Sequence, residues 1–296
     1  LALGALALEF GEHESATQLL EDAASRFADL GDDAGRSRAL TLLGIAAFRQ
    51  GGYDAATALL EERLRLAGEL GDQRESALAQ FNLGVIALHE DNFAAARARY
   101  EDALALERTR GDPYTVIMIL TGLAVVSIEE GNLEEAETHL HEVLALAREL
   151  ASKSEVAYAL LNLGDVAAQQ GQYERADEYL RESVLLAREL GDTYLLLGTL
   201  AEHAKLTAAQ GQAERTARLA GAEARLRDDL GIALPVGELA RRGQALERAR
   251  EQLGEDGFRR AWEDGQAMGL EEAVAYALGE RAAVPLNMVS GRPAGR

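Results

Sequence analysis

Small and apolar residues recur along this chain with a period of 40 residues. A small residue, usually after leucine, marks each unit: Gly4, Gly44, Gly84, Ala124, Gly164 and Ala204. Seven residues later stands Gly11, Gly51, Asp91, Gly131, Gly171 or Gly211, and nine later His13, Tyr53, Phe93, Leu133, Tyr173 or Ala213. Twelve after each mark comes Ala16, Ala56, Ala96, Ala136, Ala176 or Thr216. A second turn signal closes the unit at Gly31-Asp32, Gly71-Asp72, Gly111-Asp112, Ala151-Ser152, Gly191-Asp192 and Gly231. Six copies in phase identify an internal repeat.

Each copy holds two apolar-periodic segments of helical length separated by a glycine and a polar residue. Glycine takes the left-handed conformation that ends a helix, as at Gly171-Gln172, and the next helix starts just beyond. Asp54, Glu134 and Glu174 then fall in a first turn, where the helix dipole favours them. In the Gly-Asp pairs the aspartate caps the following helix. The pattern predicts helical hairpins, with small residues allowing close approach and the aromatic filling the space beside them. Such a unit cannot bury its own face and must stack on a neighbour.

Leu163-Gly164, Tyr173 and Ala176, like Leu83-Gly84, Phe93 and Ala96, resemble the tetratricopeptide repeat (TPR) pattern of Leu-Gly in helix A, then an aromatic and an alanine in helix B. The period of 40 and the missing proline depart from the usual form and match a longer-repeat variant. The resemblance spans residues 1–231 and implies an all-α, right-handed solenoid of six hairpins.

After Gly231 the period stops. Gly237–Leu253, Asp256–Met268 and Leu270–Leu278 read as further helices, expected to cap the last repeat within 232–280. Residues 281–296, rich in Pro, Gly and Arg, read as a flexible tail or linker. The runs "RLAGAEARLRDDLGIALP", "FRRAWEDGQAM" and "LEEAVAYAL" resemble the end of the repeat region in large bacterial signal-transduction ATPases and LuxR-type transcriptional regulators. There the repeats follow a nucleotide-binding domain. The resemblance implies a sensor module whose partners are a protein or peptide segment and an upstream nucleotide-binding domain of the same chain. A stand-alone scaffold is the alternative. The chain opens at Leu1 without Met, inside an apolar helical pattern, as expected of part of a longer protein.

Composition narrows the chemistry. Ala and Leu dominate the 48% apolar share, and only four prolines occur, which favours helix. The net charge of −20 repels phosphate backbones and anionic lipid, so this segment is not expected to bind nucleic acid or membrane. The longest apolar run, Thr115–Ile128, is too short to cross a bilayer, and nothing reads as a signal peptide, so a cytoplasmic location is expected. Zero cysteines exclude disulfides and thiolate chemistry. The only lysines, Lys153 and Lys205, lie in no phosphate-binding loop. His139 and His141 are two apart rather than the four a helical metal pair needs, and Glu129, Glu130, Glu134 and Glu135 read as a solvated acidic face. No catalytic residue, metal or cofactor is therefore expected.

The candidate site is the groove lined by helix A. Asn82 and Asn162 each stand two residues before the repeat mark, and asparagine is a poor helix former that calls for a reason. By resemblance to longer-repeat TPR proteins, this asparagine holds the backbone of a bound peptide. Its amide offers both a donor and acceptors to an extended main chain. The other reading is a bond to a neighbouring helix. Leu42, Gly122 and Glu202 replace it elsewhere. Arg38, Tyr158, Asp165 and Lys205 lie one or two turns away and are expected on the same groove. Phe48, Leu88 and Ile128 are expected in the inter-repeat core.

Overall fold

The computed structural model describes residues 1–231 and 236–280. The fold is all-α: six helical hairpins followed by a helical C-terminal cap. The chain divides into two compact units, Leu1–Leu150 and a second from Ala151 onward. The expected tail at 281–296 lies outside the described residues, as do 232–235 at the start of the expected cap.

The first unit holds four hairpins: α1 (Ala2–Glu9) with α2 (His13–Asp29), α3 (Asp33–Arg49) with α4 (Tyr53–Leu70), α5 (Gln73–His89) with α6 (Phe93–Arg110), and α7 (Pro113–Glu129) with α8 (Leu133–Glu149). The second holds α9 (Lys153–Gln169) with α10 (Tyr173–Leu190) and α11 (Thr193–Ala209) with α12 (Ala213–Asp229). Then come α13 (Val236–Gln266), broken at Gly254 (φ 68°, ψ 164°), and α14 (Leu270–Ala277).

The turns follow directly from the sequence. A positive φ recurs every 20 residues from Gly11 to Gly231, ten times at glycine and twice at other residues, Asp91 (φ 56°) and Ala151 (φ 52°). The A helices that follow carry side-chain caps. Asp32, Asp72, Asp112, Ser152 and Asp192 each accept a backbone N–H of the first turn.

Inside each hairpin the repeat mark meets the B-helix residue sixteen positions later. A Cβ on Gly44 would stand 3.1 Å from Leu60, and one on Gly164 2.6 Å from Leu180. Where the mark is Ala204, the B-helix residue shrinks to Ala220. The alanines twelve after the mark, Ala16 through Ala176, are fully buried. In the last hairpin Thr216 replaces alanine, and its hydroxyl pairs with that of Thr207 at 3.0 Å. Each buried leucine contributes roughly 1.5–3 kcal/mol, and stacking repeats this from hairpin to hairpin.

The cap buries the outer face of α12. Leu219, Ala220 and Ala222 join Met268, Ala273 and Ala277 in one core, and Ala213 and Ala217 join Phe258 and Ala261 in another. Backbones touch here: a Cβ on Gly221 would stand 2.5 Å from the Trp262 carbonyl oxygen. The end of α14 is held by two arginines, Arg181 donating to the Leu278 carbonyl at 2.6 Å and Arg215 to that of Ala277 at 2.8 Å. Cations suit a helix C-terminus.

Candidate functional site: the face of the A helices

Within each unit an A helix packs on the B helix of its own hairpin and also touches the next A helix: α3 with α5, α5 with α7, and α9 with α11. Side chains six before, two before and one after each repeat mark fall on the remaining A-helix face, at helical spacings of four and three. These positions hold Arg38, Leu42 and Ile45 on α3, Leu78, Asn82 and Val85 on α5, and Met118, Gly122 and Val125 on α7. In the second unit they hold Tyr158, Asn162 and Asp165 on α9, and Gly198, Glu202 and Lys205 on α11.

Arg38 and Asn82 thus lie in the first unit, and the other four predicted residues in the second. Arg38 is exposed and lines a cleft with Ser37, Asp72 and Glu75. Behind that cleft Arg63, 2% exposed, donates to Glu75 at 2.9 Å, and Ser37 shares the same carboxylate at 3.1 Å. Asn82 is half-buried and makes no hydrogen bond among the described residues. Its counterpart Asn162 donates through Nδ2 to the Tyr158 carbonyl one turn back at 3.1 Å, leaving its own oxygen to accept.

The second unit brings its four residues onto two neighbouring helices. Tyr158 on α9 lies within electrostatic reach of Asp192, the cap of α11. Burial, then the Asp192 and Glu155 charges, raise the Tyr158 pKa above its ordinary value. Asp165 accepts from Gln169 at 3.1 Å, and Lys205 donates to Glu202 at 2.6 Å. The asparagine position of α11 therefore carries an ion pair.

Phe48 is partly buried between hairpins, its ring 4.8 Å from His89 edge-on and 5.6 Å from Tyr53. The acidic run is not simply solvated: Glu130 and Glu135 pair with Arg97 at 2.7 and 2.8 Å, and Ser127 bonds Glu135 at 2.9 Å. Arg97 lowers the Glu135 pKa below the usual carboxylate range and is itself raised. These groups brace α6 against α7 and α8. His203, buried in α11, has its Nδ1 2.8 Å from the Thr199 carbonyl oxygen, and burial lowers its pKa.

Sequence reasoning missed the exposed aromatic and thioether residues of this face, Tyr114 (52% exposed) and Met118 (46%) on α7 and Tyr194 (67%) on α11. It also missed Tyr100. That residue breaks the series Leu20, Leu60, Leu140, Leu180, Ala220 at the position sixteen after the mark, and aligning the repeats would have exposed it.

The family model described as the MalT-like TPR region matches residues 71–253. No curated protein sequence matches. Among solved structures, BtubC (BKLC) from P. vanneervenii is similar at 18% identity and a TM-score of 0.63, over 75% of this chain and 94% of that one. A Signal Transduction ATPase with Numerous Domains (STAND) protein with a tetratricopeptide repeat sensor, from Pyrococcus horikoshii, is similar at 17% identity and a TM-score of 0.62. That match covers 90% of this chain but 43% of the STAND protein, so this chain spans less than half of its length. The Rap conjugation gene regulator of the plasmid pLS20, in complex with a Phr peptide, is similar at 15% identity and a TM-score of 0.57, over 90% and 75% of the two chains. At these identities the likeness is one of fold.

Proposed function

Because the chain belongs to the MalT-like TPR family, we propose that it is a protein-interaction module whose A-helix face binds an extended peptide or protein segment. The observation that carries this reading is the state of the two asparagine amides. Asn82 has its hydrogen-bonding groups uncommitted and Asn162 keeps its oxygen available, on a face that is otherwise largely apolar around Asn82. Half-buried amides with hydrogen-bonding groups left over, all of Asn82's and the oxygen of Asn162, fit a ligand that brings its own main-chain donors and acceptors. The fold likeness to a Rap regulator solved with a peptide supports the same ligand class.

The finer reading is a sensor arm of a larger signal-transduction ATPase or transcriptional regulator, supported by the fold likeness to the STAND protein's TPR sensor. Ligand binding then acts by favouring one packing of the repeats over another, which requires different affinities for the two states. Arg38 accompanies Asn82 in the first unit, and Tyr158, Asp165 and Lys205 accompany Asn162 in the second, as auxiliary contacts. The test has two parts. Asn82→Ala and Asn162→Ala should each weaken capture of peptides selected on the wild-type chain, and unchanged capture would sink the groove assignment. An immunoblot of source cells should show a band far above 31.8 kDa; a band at that size would leave a stand-alone adaptor.

A further inference from the structure

Among the described residues of the first unit, the Tyr100 hydroxyl is a polar group with no structural employment. Tyr100, on α6, is 1% exposed, and its ring lies between Gly84 of α5 and Gly122 of α7. A Cβ on Gly84 would stand 2.6 Å from the ring Cε1, and one on Gly122 2.7 Å from Cζ. Glycine is therefore required on both sides. At Gly122 that means a glycine inside a helix, a cost of about 1 kcal/mol relative to alanine. Leucine fills the equivalent place in four other hairpins. Space filling alone thus does not account for a phenol at this position.

The hydroxyl makes no hydrogen bond among the described residues, and it is not among the sealed, unpartnered polar atoms. Its oxygen therefore keeps a small solvent contact, at the tip of a ring whose Cζ lies against Gly122, one of the outer-face positions of α7. Buried tyrosines ordinarily find a partner for this group. Burial raises its pKa to about 12, so it remains a donor at neutral pH. Asn82, uncommitted, stands two residues before Gly84 on the same helix. Around them α5 and α7 present Leu78, Val85, Met118 and Val125, and α7 carries no charged residue from Pro113 through Ile128.

We propose that the Tyr100 hydroxyl and the Asn82 amide form a seat for one main-chain carbonyl of an extended peptide, which lays an uncharged, apolar side chain over Gly122. The inference rests on the peptide-binding reading above and gives it a location and a specificity. Phenol supplies a donor and the amide supplies donor and acceptor, which matches a peptide unit. The missing side chain at Gly122 lets the ligand backbone come close. A charged side chain there would lose hydration without gaining a partner, so an apolar one is selected.

The probe is a displayed library of random peptides selected on the wild-type chain. The selected sequences should share an uncharged apolar residue. Tyr100→Phe should weaken their binding by roughly 3- to 10-fold, the effect of one lost hydrogen bond. Tyr53→Phe, away from this face, should leave it unchanged. Binding should also perturb the tyrosine ultraviolet spectrum of the wild type and not of Tyr100→Phe. Tyr100→Leu, the residue of the other hairpins, is a second variant that removes the hydroxyl while keeping a residue the repeat tolerates. Selected peptides that bind both Tyr100 variants as tightly as wild type, yet lose affinity with Asn82→Ala, would overturn the seat and leave the module reading intact. Binding indifferent to Asn82, Asn162 and Tyr100, or a selection that returns no peptide, would overturn both.

Discussion

The contact between α12 and α13 makes a sharp prediction for Gly265→Ala. A Cβ at this position would lie 2.0 Å from the Arg218 carbonyl oxygen and 2.8 Å from its carbon. Ordinary contacts begin at roughly 3.5 Å, so the helices have to part. No side-chain rotation relieves a clash with backbone, which puts the cost near the top of the range for overpacking, about 3 kcal/mol. Alanine returns up to about 1 kcal/mol of helix propensity, for a net loss of about 2 kcal/mol. That is roughly a 30-fold shift toward a detached cap. Trp262, the only tryptophan, packs in this cap and reports on it alone. In urea unfolding, its fluorescence midpoint should fall below that of far-ultraviolet circular dichroism, because a repeat array can lose an end before its middle. Gly243→Ala, in the same α13 but with open space around its Cβ, is the control and should stabilise. A Gly265→Ala protein with the wild-type fluorescence midpoint would refute the reasoning.

Glu75→Ala strands the buried Arg63 guanidinium and should cost about 3 kcal/mol in urea unfolding, whereas Glu69→Ala, in an exposed pair with Arg65, should cost under about 0.5 kcal/mol. The Tyr100 pKa is raised to about 12 in the folded chain, above its unfolded value, so its contribution is fully present below about pH 10 and is lost as pH rises toward 12. Between those limits wild type should lose about 2 kcal/mol more than Tyr100→Phe, measured as urea midpoints at each pH. Asp192→Ala removes the cap of α11 and a negative charge near Tyr158; it should cost about 1 kcal/mol, and the Tyr158 pKa should move part of the way back toward the ordinary value in an alkaline absorbance titration.

How far the sequence could be read differs between fold and site. The position of every hairpin turn was legible, including Asp91 and Ala151, where the repeat places a non-glycine residue in a glycine position. The caps at Asp32, Asp72, Asp112, Ser152 and Asp192 were legible too. At the site, the asparagines stood out because they contradict helix propensity. Met118 and Tyr114 did not, because an apolar residue in an apolar helix looks the same whether it faces the core or solvent. Glu130 and Glu135 were misread for a related reason: their partner Arg97 lies more than thirty residues away, on another helix.

The division has one physical cause. Helices and turns depend on interactions within a few residues: a left-handed φ, a capping carboxylate, an apolar stripe at helical spacing. Those are written in the local sequence, and 40-residue periodicity states them six times over. Contacts such as the Tyr100 ring between Gly84 and Gly122, Gly265 against Arg218, and Arg63 against Glu75 depend on how close two helices come and at what rotation. Close packing sets these distances to a fraction of an ångström, over separations of 12 to 47 residues, and only the folded chain brings the partners together. The repeat architecture was determined by the sequence alone; which polar groups were left without an internal partner was decided by the tertiary structure.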